Sequence, residues 1–233
     1  TGTLTENKIT LQKYIDAKGL ENESILEYAY LNSYYSTGIK NLVDKAIISY
    51  GDNINIKKKL ENYEKIDEIP FDYTRKKQTV VVKNKTRYRI ITKGALEEIL
   101  KCCSTVKMDG KISKLDDKIV KIIKEKSLSL AETGMQVIAL SEKLGSKENI
   151  IDSNNYENDM TFIGFVGFLD PPKKDVKDTL IKLRKIGIKT KILTGDNPYA
   201  TKNICNLVGL NGNDILLGSD IDKMTDGELA KKI

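Results

Sequence analysis

The chain has 233 residues, enough for one large domain or two smaller ones that bury a core without disulfide or metal staples. Hydrophobic residues at 39% and charged residues at 31% give a globular balance, and the absence of histidine removes His-ligated metal sites, Ser-His-Asp and Cys-His triads and histidine general-base chemistry. A net charge of +6, spread along the chain with no aromatic-interleaved basic stripe, argues against nucleic-acid binding.

The opening Thr1-Gly2-Thr3-Leu4-Thr5, with neither methionine nor polar tail, reads as a piece of a longer protein. From 24 to 50 the pattern is helical, with Leu42, Ala46 and Tyr50 four apart and Val43 and Ile47 beside them. A polar stretch over 51–55 comes next, then two strands, 79–82 and 88–91, joined by a turn at Asn84-Lys85. Lys93-Gly94-Ala95 leads into a helix over 96–102 that carries Cys102. Cys102, Cys103 and Cys205 show no CxxC spacing and are expected as reduced thiols. Leu115, Ile119, Ile122 and Leu130 mark a longer helix, and Val137-Ile138-Ala139-Leu140 a buried strand.

Residues 145–160 are polar and Asn-rich and read as a long loop, after which the character changes. An apolar strand over 162–168 meets Asp170-Pro171-Pro172, a stiff joint because two φ angles are fixed after an extended Asp. A helix with Val176, Leu180 and Leu183 ends at Gly187, a second strand covers 188–193, and Ala200, Ile204 and Leu207 lie on the next helix. Strand, helix, strand, loop, helix predicts a parallel α/β sheet for the last part of the chain, and the middle reads as α+β. The apolar run at 162–169 is far short of the about 20 residues that cross a bilayer, and no signal peptide opens the chain.

Thr194-Gly195-Asp196-Asn197-Pro198 sits where a strand end meets a helix N-terminus, the usual anion-binding place in parallel α/β sheets. Thr194 offers a hydroxyl, Gly195 a close backbone approach and Asp196 a carboxylate, while Asn197 and Pro198 suit the helix start. An ordinary well-capped turn is equally compatible with the segment by itself.

The combination is more specific than its parts. TGTLT at the start, Lys93-Gly94-Ala95, Asp170-Pro171-Pro172 and Thr194-Gly195-Asp196-Asn197 together resemble the cytoplasmic core of the P-type ATPases over essentially the whole chain. In that family the opening motif reads Asp-Lys-Thr-Gly-Thr-Leu-Thr, and its Asp is phosphorylated. Here the sequence begins at the Thr, so 1–233 by itself is expected to be inactive. The resemblance implies a haloacid-dehalogenase-like, Rossmann-type phosphorylation domain, truncated, over 1–10 and 161–233. Inserted into it over 11–160 would be an α+β nucleotide-binding domain built on an antiparallel sheet flanked by helices.

The same resemblance implies the site residues. Thr1, Thr3, Thr194, Gly195 and Asp196 would surround the phosphorylation site. Asp170, Pro171 and Pro172 would form the hinge. Phe71, in Pro70-Phe71-Asp72-Tyr73-Thr74-Arg75-Lys76-Lys77, looks like the family aromatic that stacks on adenine, and Lys76 matches a family lysine near the nucleotide. Lys93 and Gly94 match the family's KGA motif, and Asp44 the acidic position that reaches the adenine amino group. Gln136 stands where the family usually carries an Arg on the phosphates, which implies weak nucleotide binding. No metal site is expected within the chain itself.

Three stretches look most like the bacterial magnesium-translocating branch: Tyr30-Leu31-Asn32-Ser33 with 37–44, Asp67-Glu68-Ile69-Pro70-Phe71-Asp72, and Phe168-Leu169-Asp170-Pro171-Pro172-Lys173. By this resemblance the chain would be the ATP-binding cytoplasmic portion of a bacterial cell-membrane pump. ATP and Mg²⁺ would be its cofactors, and the rest of the same polypeptide, with its transmembrane and actuator domains, its partner. A Ca²⁺ pump is the alternative. A soluble phosphatase of the haloacid-dehalogenase type and a non-catalytic binding module are readings from other classes.

Overall fold

The computed structural model describes residues 2–145, 155–195 and 198–232. They fall into two compact units. One comprises 8–131 and 135–170; the other comprises the described residues of 1–7, 132–134 and 171–233.

The larger unit is built on an eight-stranded sheet. Its strands are β1 (Thr10–Asp16), β2 (Tyr63–Asp72), β3 (Lys77–Asn84), β4 (Arg87–Gly94), β5 (Cys103–Met108), β6 (Lys111–Lys114), β7 (Gln136–Gly145) and β8 (Met160–Leu169). The order is β2-β3-β4-β7-β8-β5-β6, with β1 paired to β8 outside that path. All pairings are antiparallel except β5 with β8. One side of β8 carries β7; its first residues also pair with β5 and its later ones with β1. At the crossing with β1, Gly164 has φ +154°, and a Cβ there would lie 2.1 Å from the Ile15 carbonyl oxygen. Only glycine lets the two backbones meet so closely.

Successive residues of the central strands face opposite layers. Val80, Val82, Ile91 and Leu140 pack with Leu26, Ala29, Tyr30 and Ile47 of helices α1 (Glu23–Tyr35) and α2 (Leu42–Asn53). Val81 and Ile90 face the other way, onto Cys102, Tyr156 and Met160. Further along that face, Ala139, Phe162 and Phe165 meet Leu96, Ile99 and Ile123 of α4 (Leu96–Cys102) and α5 (Asp117–Glu132). Burial on both faces explains why β3 and β8 read as unbroken apolar runs. The short α3 (Ile56–Lys59) comes directly after α2.

The helical pattern over 24–50 resolves into α1 and α2, broken at 36–41. Gly38 has φ +80°, and Asn41 starts α2 by accepting the Asp44 N–H at 2.8 Å. The expected domains divide at 10 and 160, whereas the compact units divide between Asn7 and Lys8 and between Asp170 and Pro171, and the whole of β8 is hydrogen-bonded into the larger unit's sheet.

The smaller unit holds α6 (Val176–Lys185), α7 (Pro198–Val208), α8 (Gly218–Ile221) and α9 (Asp226–Lys232). Val176, Leu180 and Val208 form its buried cluster, with Leu4 and Leu210 against it. Thr5 bridges Pro172, the Glu6 N–H donates to the Pro171 carbonyl at 2.9 Å, and the Lys173 N–H donates to the Leu4 carbonyl at 2.9 Å. The parallel sheet expected here is not found among the described residues. Residues 188–195 carry no helix or strand, and Leu193 is 97% exposed. An apolar run becomes a strand only where another strand satisfies its backbone groups, and 162–168 pairs within the other unit.

Candidate functional site

β2 and β4 finish, and β3 and β7 begin, at one end of the larger unit's sheet. One ladder row there runs Asp72, Lys77, Gly94, Ala139 across four strands; Gln78, Lys93 and Leu140 form the next row inward. Phe71, Lys76, Lys93, Gly94 and Gln136 therefore lie at the same end of one sheet.

Lys93 points to the α1–α2 face, as does Ile91 two residues earlier. Its side chain is 5% exposed, and its ammonium donates to Ser33 Oγ at 2.6 Å and is ion-paired to Asp44, whose side chain is 4% exposed. Burial pulls the Lys93 pKa down, and the Asp44 carboxylate opposes that fall. Asp44 is fixed in the first turn of α2, where the helix dipole favours a carboxylate.

Just above this pair, Lys40 folds back over the end of α1. Its ammonium donates to the carbonyls of Ser33 at 2.6 Å and Tyr34 at 3.1 Å, to Ser36 Oγ at 2.9 Å, and to the Ser36 carbonyl. It satisfies carbonyls that a helix C-terminus leaves open. Burial lowers its pKa as well. Asn32 ties α1 to the sheet, its Nδ2 donating to the Ile91 carbonyl at 2.7 Å and the Gln78 carbonyl at 3.3 Å.

Phe71 is 45% exposed and meets the ring of Tyr73 edge-on at 5.3 Å between centroids. Phe71 lies near the end of β2, and Tyr73 stands on the turn between β2 and β3 with Arg75 and Lys76. Lys76 adopts φ +51°, and its carbonyl accepts the Ala95 N–H at 3.0 Å. Gly94 is needed at that contact, because a Cβ on it would sit 2.4 Å from the Lys76 carbonyl oxygen. The glycine admits the β2–β3 turn itself. Gln136 is exposed at the start of β7, opposite Phe168.

Thr3, Thr194 and Gly195 are exposed, whereas Thr1 and Asp196 lie outside the described residues. Asp170 accepts the Lys8 N–H at 3.2 Å, and the division between the two units comes directly after it. Among the described residues no group of three or more Cys, Asp and Glu side chains gathers as a metal site, and no helix is long and apolar enough to cross a membrane.

Ser33, Lys40 and Asn32 are site residues that sequence reasoning does not reach. Ser33 and Asn32 lie in a stretch that carries the family resemblance, which is the one signal pointing to them. Lys40 lies in the same stretch, within 37–44, but its bonds, mostly to main-chain carbonyls, leave no pattern of their own in the sequence.

This end of the sheet carries an exposed aromatic ring, basic side chains and a buried ammonium–carboxylate pair, groups that suit a base and its anionic tail. A protein-family model described as P-type ATPase, cytoplasmic domain N, matches residues 10–175. The Magnesium-transporting ATPase, P-type 1, of Escherichia coli (strain K12) is 40% identical over 232 residues, 99% of this chain and 26% of the relative. Its Salmonella typhimurium (strain LT2) counterpart is 39% identical over the same shares. The Calcium-transporting ATPase 1 of Bacillus cereus is 30% identical over 254 residues, 100% of this chain and 28% of the relative. The chain thus spans about a quarter of the length of these relatives.

Proposed function

This chain belongs to the P-type ATPase family by its cytoplasmic domain N, and from that premise we propose that its larger unit binds ATP at the sheet end formed by β2, β3, β4 and β7. Phe71 stacks on the adenine, a contact worth roughly 1–3 kcal/mol for an aromatic and a base. Lys93 and Asp44 form the floor of the site, Lys76 and the neighbouring backbone at Gly94 its side, and Gln136 lies toward the phosphates. The observation that carries the reading is the shared ladder end of Phe71, Lys93 and Gly94. Mg²⁺ would arrive on the triphosphate, in keeping with a cation that keeps its waters and takes few protein ligands.

The smaller unit is read as part of a haloacid-dehalogenase-type phosphorylation domain. Support comes from residues 4–6 meeting residues 171–173. In it Thr3, Thr194, Gly195 and, with Thr1, Asp196 surround the phosphoryl group, and Asp170, Pro171 and Pro172 act as the hinge. The whole protein then moves phosphate from ATP to an aspartate and couples its hydrolysis to Mg²⁺ transport across a bacterial cell membrane. The Mg²⁺ assignment rests on the names of the relatives at 39–40% identity, and Ca²⁺ is the second reading, from the relative at 30%.

The test is an ATP titration of the 233-residue chain monitored by amide chemical shifts. The resonances of Phe71, Lys76, Lys93 and Gln136 are expected to move together and saturate. Shifts confined to other parts of the sheet, or none at millimolar nucleotide, would remove the site.

A further inference from the structure

Across the sheet from Lys93, the chain just before β8 is fastened to the base of the β2–β3 turn. Tyr156 is fully buried and its hydroxyl donates to Asp67 Oδ2 at 2.9 Å. Lys143 donates to the carbonyls of Asn155 at 3.2 Å and Asn158 at 2.9 Å, holding the segment from β7. Between these anchors lies Glu157, its side chain 13% exposed. Its carboxylate accepts from Arg75 at 2.7 and 2.8 Å, from Thr79 Oγ1 at 2.7 Å, and pairs with Lys77 at 2.9 Å.

All three partners belong to one short stretch, 75–79, 82 residues or fewer back in the chain, that starts in the β2–β3 turn with Arg75 and Lys76, a few residues after Phe71. Arg75 completes the connection. Its second guanidinium nitrogen donates to the Pro70 carbonyl at 2.9 Å, and its N–H donates to Asp72 Oδ1 at 2.7 Å. One carboxylate thus grips the guanidinium of a residue that bonds Pro70 through its side chain and Asp72 through its backbone N–H, on either side of Phe71. Phe71 has no such hold of its own, being half exposed with its ring against Tyr73. A buried carboxylate that meets two cations and a hydroxyl in one place fixes geometry more firmly than a surface pair, because its acceptor sites are filled from several directions.

We propose that Glu157 is a positioning residue for nucleotide binding: from the opposite face of the sheet it sets the β2–β3 turn, through Arg75, so that Phe71 is held ready for the base. The inference rests on the nucleotide reading above and adds to it a residue that touches no nucleotide. Free of this hold, the turn samples other arrangements, and only the fraction with Phe71 in place binds.

The test uses the 233-residue chain with Glu157→Gln, which keeps shape and removes charge. ATP affinity is expected to fall roughly three- to tenfold, since charge-assisted bonds are exchanged for neutral ones. Without nucleotide, the amide shifts of 71–77 should move while those of α1 and α2 stay. Arg75→Gln, made on the exposed turn, removes the same bond from its other end and carries the test should the first variant not fold. A structural role alone is separated by a double-mutant cycle with Phe71→Leu. Acting through Phe71, Glu157→Gln costs less ATP affinity in the Phe71→Leu background than in the wild type; equal costs in both would overturn the proposal. If the wild-type chain binds ATP and Glu157→Gln binds it equally well, this inference alone falls. If the wild-type chain does not bind ATP, the nucleotide reading falls and takes this inference with it.

Discussion

Lys93 and Asp44 illustrate how one pair of side chains serves both fold and site. Desolvating two charges costs more than their attraction returns unless further hydrogen bonds fill the remaining positions. Ser33 Oγ supplies one such bond to Lys93, and the Asn41 cap fixes the turn that presents Asp44. The pair therefore specifies where α1 and α2 sit against β4 more than it stabilises them. Gln136 is the opposite case. It is exposed, and its amide carries no charge to offer a triphosphate. Gln136→Arg is expected to tighten ATP binding by roughly three- to tenfold, as a charged donor replaces a neutral one. Titration calorimetry on the two proteins measures this directly. An unchanged Kd would place the phosphates elsewhere.

The β3–β4 pair and the β2–β3 turn form the element on which the proposed site is built, and Gly94 is the place where it tolerates least. A Cβ there would meet the Lys76 carbonyl oxygen at 2.4 Å and the Lys77 Cα at 2.8 Å, both backbone atoms that cannot swing aside. Gly94→Ala is expected to push the turn off β4 and to destabilise the larger unit by about 1–3 kcal/mol, the usual cost of overpacking. A urea midpoint equal to that of the wild type would contradict it. The β3 and β4 strands are legible in the sequence because Val80, Val81, Val82, Ile90 and Ile91 are buried on both faces and leave an unbroken apolar signature. The β2 strand is not, since it is an edge strand whose Tyr63, Ile66 and Ile69 come at every third position between pairs of charged residues, which masks a period of two. The stretch 188–193 reads as a strand from Ile188, Ile192 and Leu193 yet forms none, because pairing is a property of neighbours and not of composition. Of the residues proposed to hold nucleotide, Phe71, Lys93 and Asp44 can be named from resemblance. The grip of Glu157 on Arg75 spans 82 residues and leaves no local trace.

At the scale of the whole molecule, the division into units assigns every strand of the sheet, all three apolar clusters against it, and every residue proposed to hold nucleotide to 8–131 and 135–170. A domain with its own core, whose strand pairings all lie within itself, can fold by itself. The second boundary comes after Asp170, where two prolines stop the pairing that β8 makes with β1 and β7. A polypeptide of residues 8–170 should therefore fold in one cooperative transition and retain the ATP-dependent amide shifts of Phe71 and Lys93 with an affinity within about twofold of the 233-residue chain, given the additivity of separate units. Differences are expected at 132–134, which group with the other unit. A polypeptide ending at 160 should fail, because it removes the strand that joins β7 to β1 and β5 and so splits the sheet. Circular dichroism melts of the two polypeptides decide the matter: a folded 8–160 beside an unfolded 8–170 would show that the sheet does not hold this unit together.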